Sequence, residues 1–110
     1  MDIVALPFQG RLGLGEQSRN RYSEMCQSLQ QGSRTVVFDL REVPDITSEG
    51  LGFLVECLTT VQRVGGELRL AALSRQVERT LEITRLDRVF PVFASVEAAL
   101  AAQAATARPA

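Results

Sequence analysis

The sequence predicts an α/β fold: a mixed, mostly parallel sheet of four to five strands packed with about four helices. Three observations carry that expectation. Short β-rich runs alternate with helical patterns along the chain, and such alternation builds a sheet whose helices cross back over it. The run TVVFDL, residues 35–40, is continuously β-branched and apolar up to its aspartate, as in a strand buried on both faces. Leu51, Leu54, Val55, Leu58, Val61 and Val64 recur at helical spacing and stop at Gly65-Gly66, a glycine end to an amphipathic helix.

The remaining elements follow in order. Residues 2–8 form a short apolar run containing Pro7, which reads as an edge strand because proline cannot donate to a ladder. Gly10, Gly13 and Gly15 then punctuate a turn. Their spacing, G-x-x-G-x-G, differs from the G-x-G-x-x-G of dinucleotide sites, so a turn is the reading. Tyr22, Met25, Cys26 and Leu29 mark a helix over 16–31 that Gly32 ends. ELRLAAL (67–73) returns to strand. Residues 74–84 read as a helix with Val77, Leu81 and Ile83 or Thr84 inward and Arg75, Arg79 and Glu82 outward. VFPVF (89–93) is a short strand or extended segment interrupted by Pro91, and an Ala-rich helix over 95–107 starts at Ser95. No repeat or linker divides the chain. A single domain over 1–110 is expected, with its core at about 2–104 and 105–110 as a frayed tail.

Composition narrows the function. With 110 residues, 45% hydrophobic and 23% charged, the chain is one ordinary globular domain, able to bury roughly two-thirds of its unfolded surface. No apolar run approaches the ~18 residues of a membrane span, and the N-terminal stretch lacks a basic, then long apolar, leader. The expectation is a cytoplasmic protein without direct membrane insertion. The 12 basic residues, all arginine, and 13 acidic ones leave a net charge of −1. That balance speaks against nucleic acid. The chain has no histidine, which removes the commonest general base and metal ligand. Cys26 and Cys57 lie apart on helical patterns and read as small packed hydrophobes. Neither catalytic residues nor a metal or other cofactor are expected.

The segment Pro44-Asp45-Ile46-Thr47-Ser48-Glu49-Gly50 joins the central strand to the amphipathic helix. Thr47 or Ser48 is a natural N-cap. Glu49 falls in the first turn, where the helix dipole favours a negative charge by about 0.3–1 kcal/mol. Gly50 and Gly52 each cost about 1 kcal/mol of helix propensity relative to alanine. Close approach of another backbone, from within the domain or from a partner, would account for them. Asp39 ends the central strand and ties a loop backbone, whereas Asp45 sits in a turn, so the two are not a catalytic carboxylate pair.

VVFDLREV, ITSEGLGFL, GGELRLAAL and VERTLEITRLDRVFPVFASVEAAL occur in this order between about Gly10 and Leu100. Together they resemble the STAS family, named for sulphate transporters and anti-sigma-factor antagonists, and the resemblance implies a single STAS-like domain. In antagonist members the junction reads D-S-S-G-L-G, and a partner kinase that doubles as an anti-sigma factor phosphorylates the second serine. Laid on this chain, the aspartate is Thr47, the first serine Ser48 and the phosphorylated serine Glu49; Gly50, Leu51 and Gly52 match. A second acidic position of the family falls at Gly13, and Arg85 stands where many members have glycine.

A carboxylate cannot serve as the family's phosphoacceptor. Two readings of Glu49 stand: a partial imitation of phosphoserine, with less charge and fewer acceptor oxygens, or an ordinary helix-start residue in a member with a different partner. Ser48 and Thr47 remain as capping or modifiable hydroxyls. The resemblance implies a non-enzymatic module that regulates transcription or signalling by binding a kinase-like anti-sigma factor. Contact is expected through Asp45, Ile46, Gly50, Leu51, Gly52, Phe53 and Arg11, with the loops at 10–16 and 73–76 beside them. The alternative implied partner is the ATPase of a lipid-transporting ABC system. Nucleotide binding lacks a phosphate-cradling loop here. A scaffold role would need Leu12, Leu14, Phe53 and Phe93 to form an exposed patch.

Overall fold

The computed structural model describes residues 3–102. Its elements in chain order are β1 (Ile3–Gln9), α1 (Glu16–Gln30), β2 (Thr35–Glu42), α2 (Ser48–Arg63), β3 (Glu67–Ala71), α3 (Arg75–Ile83), a 3-10 turn (Leu86–Arg88), β4 (Val92–Phe93) and α4 (Val96–Ala101). The four strands lie in the order β1-β2-β3-β4, and every ladder is parallel. The antiparallel member that a mixed sheet would contain is absent among the described residues. β2 sits between β1 and β3, and both of its faces are covered, Val36, Phe38 and Leu40 by the main core and Val37 by a second, smaller one.

Period-two alternation sorts the strand residues onto two faces. Leu6, Phe8, Val36, Phe38, Leu40, Leu68 and Leu70 meet Met25 and Leu29 of α1, the inner side of α2, and Val77 and Leu81 of α3 in the main core. The other face is smaller, with Val37, Ala71 and Ala99 packed beside Ile3, Phe93 and Val96 of β1, β4 and α4. Arg69 on this second face is only 1% exposed. Its guanidinium donates to the carbonyls of Ala99 and Ala102 at the end of α4 and to Glu67, and it lies over the Phe93 ring. Cationic donors at a helix C-terminus satisfy carbonyls that the helix leaves free. A buried arginine therefore fastens the short α4.

β1 is an edge strand, and its open side is blunted from within. The Gln17 side chain bonds both the N–H and the C=O of Gln9, Arg21 Nε donates to the Pro7 carbonyl, and Pro7 has no N–H. Such protection limits edge-to-edge pairing.

One expectation needs correction, the inward face of 74–84. Ile83 is 72% exposed and Thr84 is exposed too. The pair Val77–Leu81 defines the inner stripe, and Ile83 lies about 200° round the helix from Leu81. Most of 89–93 is not strand, because the 3-10 turn and Pro91 leave pairing only to Val92 and Phe93. The last helix ends at Ala101, and residues 103–107 of the expected helix, like the expected tail, lie outside the described residues. Arg85, at the family's glycine position, has φ 64° and ψ 14°, the left-handed region that favours glycine.

Candidate functional site

Two loops meet at the C-terminal end of β1 and β2. Backbone bonds stitch them: Gly10 N to Glu42 O at 2.9 Å, Leu12 N to Asp45 O at 3.0 Å and Thr47 N to Leu12 O at 2.9 Å. Leu12 and Ile46 form a parallel bridge, and the Leu12 side chain is fully buried. Arg11 closes the outside with a two-pronged pair to Asp45, Nε to Oδ1 and Nη2 to Oδ2, both 3.0 Å. The hydrogen bonds and charge of Asp45 push the Arg11 guanidinium above its ordinary value. Ser74, which caps α3 through Val77 N, also donates to the Pro44 carbonyl at 3.1 Å, drawing the 73–76 loop alongside.

This stitching fixes how α2 begins. Thr47 is the N-cap; its Oγ1 accepts from Gly50 N at 3.0 Å and donates to Leu12 O at 3.3 Å. A Cβ on Gly50 would lie 2.2 Å from the Leu12 carbonyl oxygen, so only glycine fits beneath that backbone. Gly52 differs: its helix position is exposed, and a Cβ there would meet nothing within 4 Å. The backbone approach expected of both glycines is thus internal at Gly50 and lacks an internal cause at Gly52.

Of the residues expected to contact a partner, Gly52 and Arg11 are exposed and Asp45, Ile46 and Leu51 are half-buried; of the regulatory and capping positions, Ser48 and Glu49 are exposed and Thr47 is half-buried. Phe53 is withdrawn from that set. Its ring is buried against Phe8 and Phe38, with centroids 6.1 and 6.4 Å away. Gly50 is likewise buried and acts through the backbone. The patch that a scaffold role required also dissolves, because Leu12 and Phe53 are core and Phe93 packs beneath α4, leaving Leu14 alone, 67% exposed. The side chains of Ser48 and Glu49 make no hydrogen bond or ion pair among the described residues.

A shallow groove of about 330 Å³ runs beside this helix start, between Arg11, Leu14, Glu16, Gln17, Thr47 and Glu49. Glu16 ends the 10–16 loop expected beside the contact; Gln17 and the buried Ser18, whose hydroxyl donates to Gly13 O at 2.6 Å, lie outside the residues that the sequence singled out. Nothing in the sequence near them signals a neighbour on the other loop. Gly13 and Thr47 face each other, a Cβ at Gly13 lying 3.1 Å from Thr47 Oγ1. The two positions at which the resemblance places the family's acidic residues are adjacent here and both neutral.

The rest of the chemistry is structural. Asp39 accepts from Arg41 N at 3.1 Å and pairs with its guanidinium at 2.8 Å, holding the loop after β2. Burial pushes the Cys57 thiol well above its ordinary range, the opposite of an activated nucleophile. Among the described residues no group of three or more His, Cys, Asp or Glu side chains converges as metal ligands, and no helix is long and apolar enough to cross a membrane.

Comparison with known proteins agrees with this architecture. The STAS domain profile matches residues 3–99. A candidate anti-sigma factor antagonist homolog of Thermotoga neapolitana is 36% identical over 72 residues, 66% of this chain and 64% of the relative's length. BtrV of Bordetella bronchiseptica, named as a candidate antagonist of the same kind, is 36% identical over 80 residues, 73% of this chain and 69% of its own. The crystal structure of a candidate antagonist from Thermotoga maritima superposes with a TM-score of 0.77 at 27% identity, covering 90% of this chain and 85% of that one. The unphosphorylated form of the antagonist SpoIIAA shares the fold, with a TM-score of 0.74 at 17% identity over 90% of this chain and 85% of its own. The profile takes in nearly every described residue, and the chain belongs to the STAS domain family.

Proposed function

We propose that this chain is an anti-sigma-factor-antagonist-like interaction module that works inside the cell and binds a kinase-like anti-sigma factor. Contact is made through the outer side of the α2 start and the loop at 10–16. The observation that carries this reading is the contrast at the helix start. Its inner side is locked by Thr47, Gly50 and Leu12, while Ser48, Glu49 and Gly52 stand exposed without internal partners. The names of the curated relatives support the antagonist assignment. A thiol made less acidic by burial at Cys57 and the lack of histidine favour binding over catalysis. Glu49 occupies the family phosphoacceptor position, so a kinase partner cannot switch this module at that residue.

The test is a binding screen of the purified chain against each kinase-type anti-sigma factor and each ABC-transporter ATPase encoded in its source genome. Saturable binding to an anti-sigma factor is expected, with ATP-dependent phosphate incorporation into a Glu49→Ser variant and none at residue 49 of the wild type. Binding only to an ABC ATPase, or to neither class, overturns the assignment.

A further inference from the structure

The groove beside α2 indicates what the partner presents there. The two acidic positions that the family resemblance places at 13 and 47 are occupied by Gly13 and Thr47, and the Thr47 hydroxyl is turned inward to Gly50 N and Leu12 O. Two other carboxylates line the same groove, Glu16 at the start of α1 and Glu49 at the start of α2. Both are exposed, and neither makes a hydrogen bond or ion pair among the described residues. The one cation lining the groove, Arg11, is held by Asp45 in a two-pronged pair. Leu14, flanked by Gly13 and Gly15 and 67% exposed, supplies an apolar surface between the two acids. Gly52 leaves open room beside them.

From these features we infer, resting on the interaction-module reading, that the groove receives a protein segment carrying arginine or lysine next to an apolar side chain. Glu49 is then an attractive contact for that cation and not an imitation of an inhibitory phosphate. At an exposed rim the attraction acts largely through association rate and weakens with salt. The sign of a charge-removal experiment therefore separates the two roles of Glu49. An attractive contact loses affinity when the charge goes, and a phosphate imitation gains it.

The experiment titrates the isotopically labelled chain by NMR with a defined twelve-residue peptide of leucine, alanine and arginine, and with the same peptide carrying glutamate for arginine. Expected are shifts confined to residues 13–16 and 47–52 with the basic peptide, weakened by added salt. A Glu16→Gln/Glu49→Gln double variant should lose affinity on the order of tenfold. A Glu78→Gln/Glu82→Gln control on α3 should bind as the wild type does. Equal or tighter binding of the acidic peptide, tighter binding after Glu49→Gln, equal weakening in the control, or no localised shifts at millimolar peptide would each overturn the inference. The titration needs no natural partner. A basic peptide seated in the groove with no anti-sigma factor bound would reject the assigned partner and leave this inference standing.

Discussion

The two sides of the first turns of α2 are built on opposite principles. Facing inward, Thr47 bonds two backbone groups, Gly50 fits under the Leu12 carbonyl and Phe53 drops into a three-ring cluster with Phe8 and Phe38. Each inner residue has a specific neighbour that would clash or be orphaned on replacement. Facing outward, Ser48, Glu49 and Gly52 touch nothing that fixes their identity. A rigid scaffold with an unconstrained outer face is what a docking surface needs, because little ordering remains to be done on binding. The difference teaches that residues adjacent in sequence here divide cleanly between those that hold the fold and those that the fold leaves free.

The inner side can be broken first. Phe53→Ala removes a ring buried among aromatics and should cost about 3–5 kcal/mol in denaturant unfolding, enough to threaten a domain of this size. Should the loss stay below about 1 kcal/mol, the ring is not the anchor described and the separation of the two sides fails. Gly50→Ala comes next. Its methyl would sit 2.2 Å from a backbone oxygen that is itself tied to Thr47 N. Relief requires moving the loop, at a cost of about 1–3 kcal/mol. Chemical shifts of residues 10–15 should report that movement, whereas a silent variant would mean that the Leu12 loop yields freely.

Thr47→Ala has a smaller effect, about 1 kcal/mol, the usual worth of an N-cap. The paired measurement is Ser48→Ala, which should be neutral in stability because its hydroxyl has no partner. Equal losses in the two variants would move the cap to Ser48 and put Thr47 among the free hydroxyls.

Much of this division was legible before any coordinates, and the limits of legibility have physical causes. The spacing of Leu51, Leu54, Val55, Leu58, Val61 and Val64 predicts an amphipathic helix. Its buried stripe runs through Leu54, Cys57 and Val61, with Val55 and Val64 exposed, and Phe53 falls on it. Its assignment as a contact residue ignored a signal that was present. Thr47 and Ser48 are equally good caps by residue type, and the choice is made by the Leu12 carbonyl, a distant part of the chain. Gly50 and Gly52 look alike for the same reason: local sequence reports their helix cost but not which has a backbone above it. Glu16 entered the groove only because loop stitching brings the start of α1 beside α2. The alternation of strands and helices needed no such information, since it rests on local periodicity. The length of β4 did, because Pro91 and the 3-10 turn decide how little of 89–93 can pair.

Gly52→Ala is the mildest change and discriminates best between the two sides. A Cβ there meets nothing within 4 Å, so the fold has no steric objection to it. Removing glycine from a helix interior gains up to about 1 kcal/mol, through a better helix propensity and a less flexible unfolded chain. For a domain of this length that is a rise in Tm of roughly 4 °C or a little more. If a partner's backbone passes over this position, the same methyl group should weaken binding while stability rises. Opposite signs in the melting and binding measurements cannot come from damage to the fold, which would lower both. A gain in stability with unchanged affinity would leave Gly52 without a cause in fold or partner and would move the contact face off the outer side of α2. A loss of stability would show that the space above Gly52 is occupied, and the contrast between the two glycines would collapse.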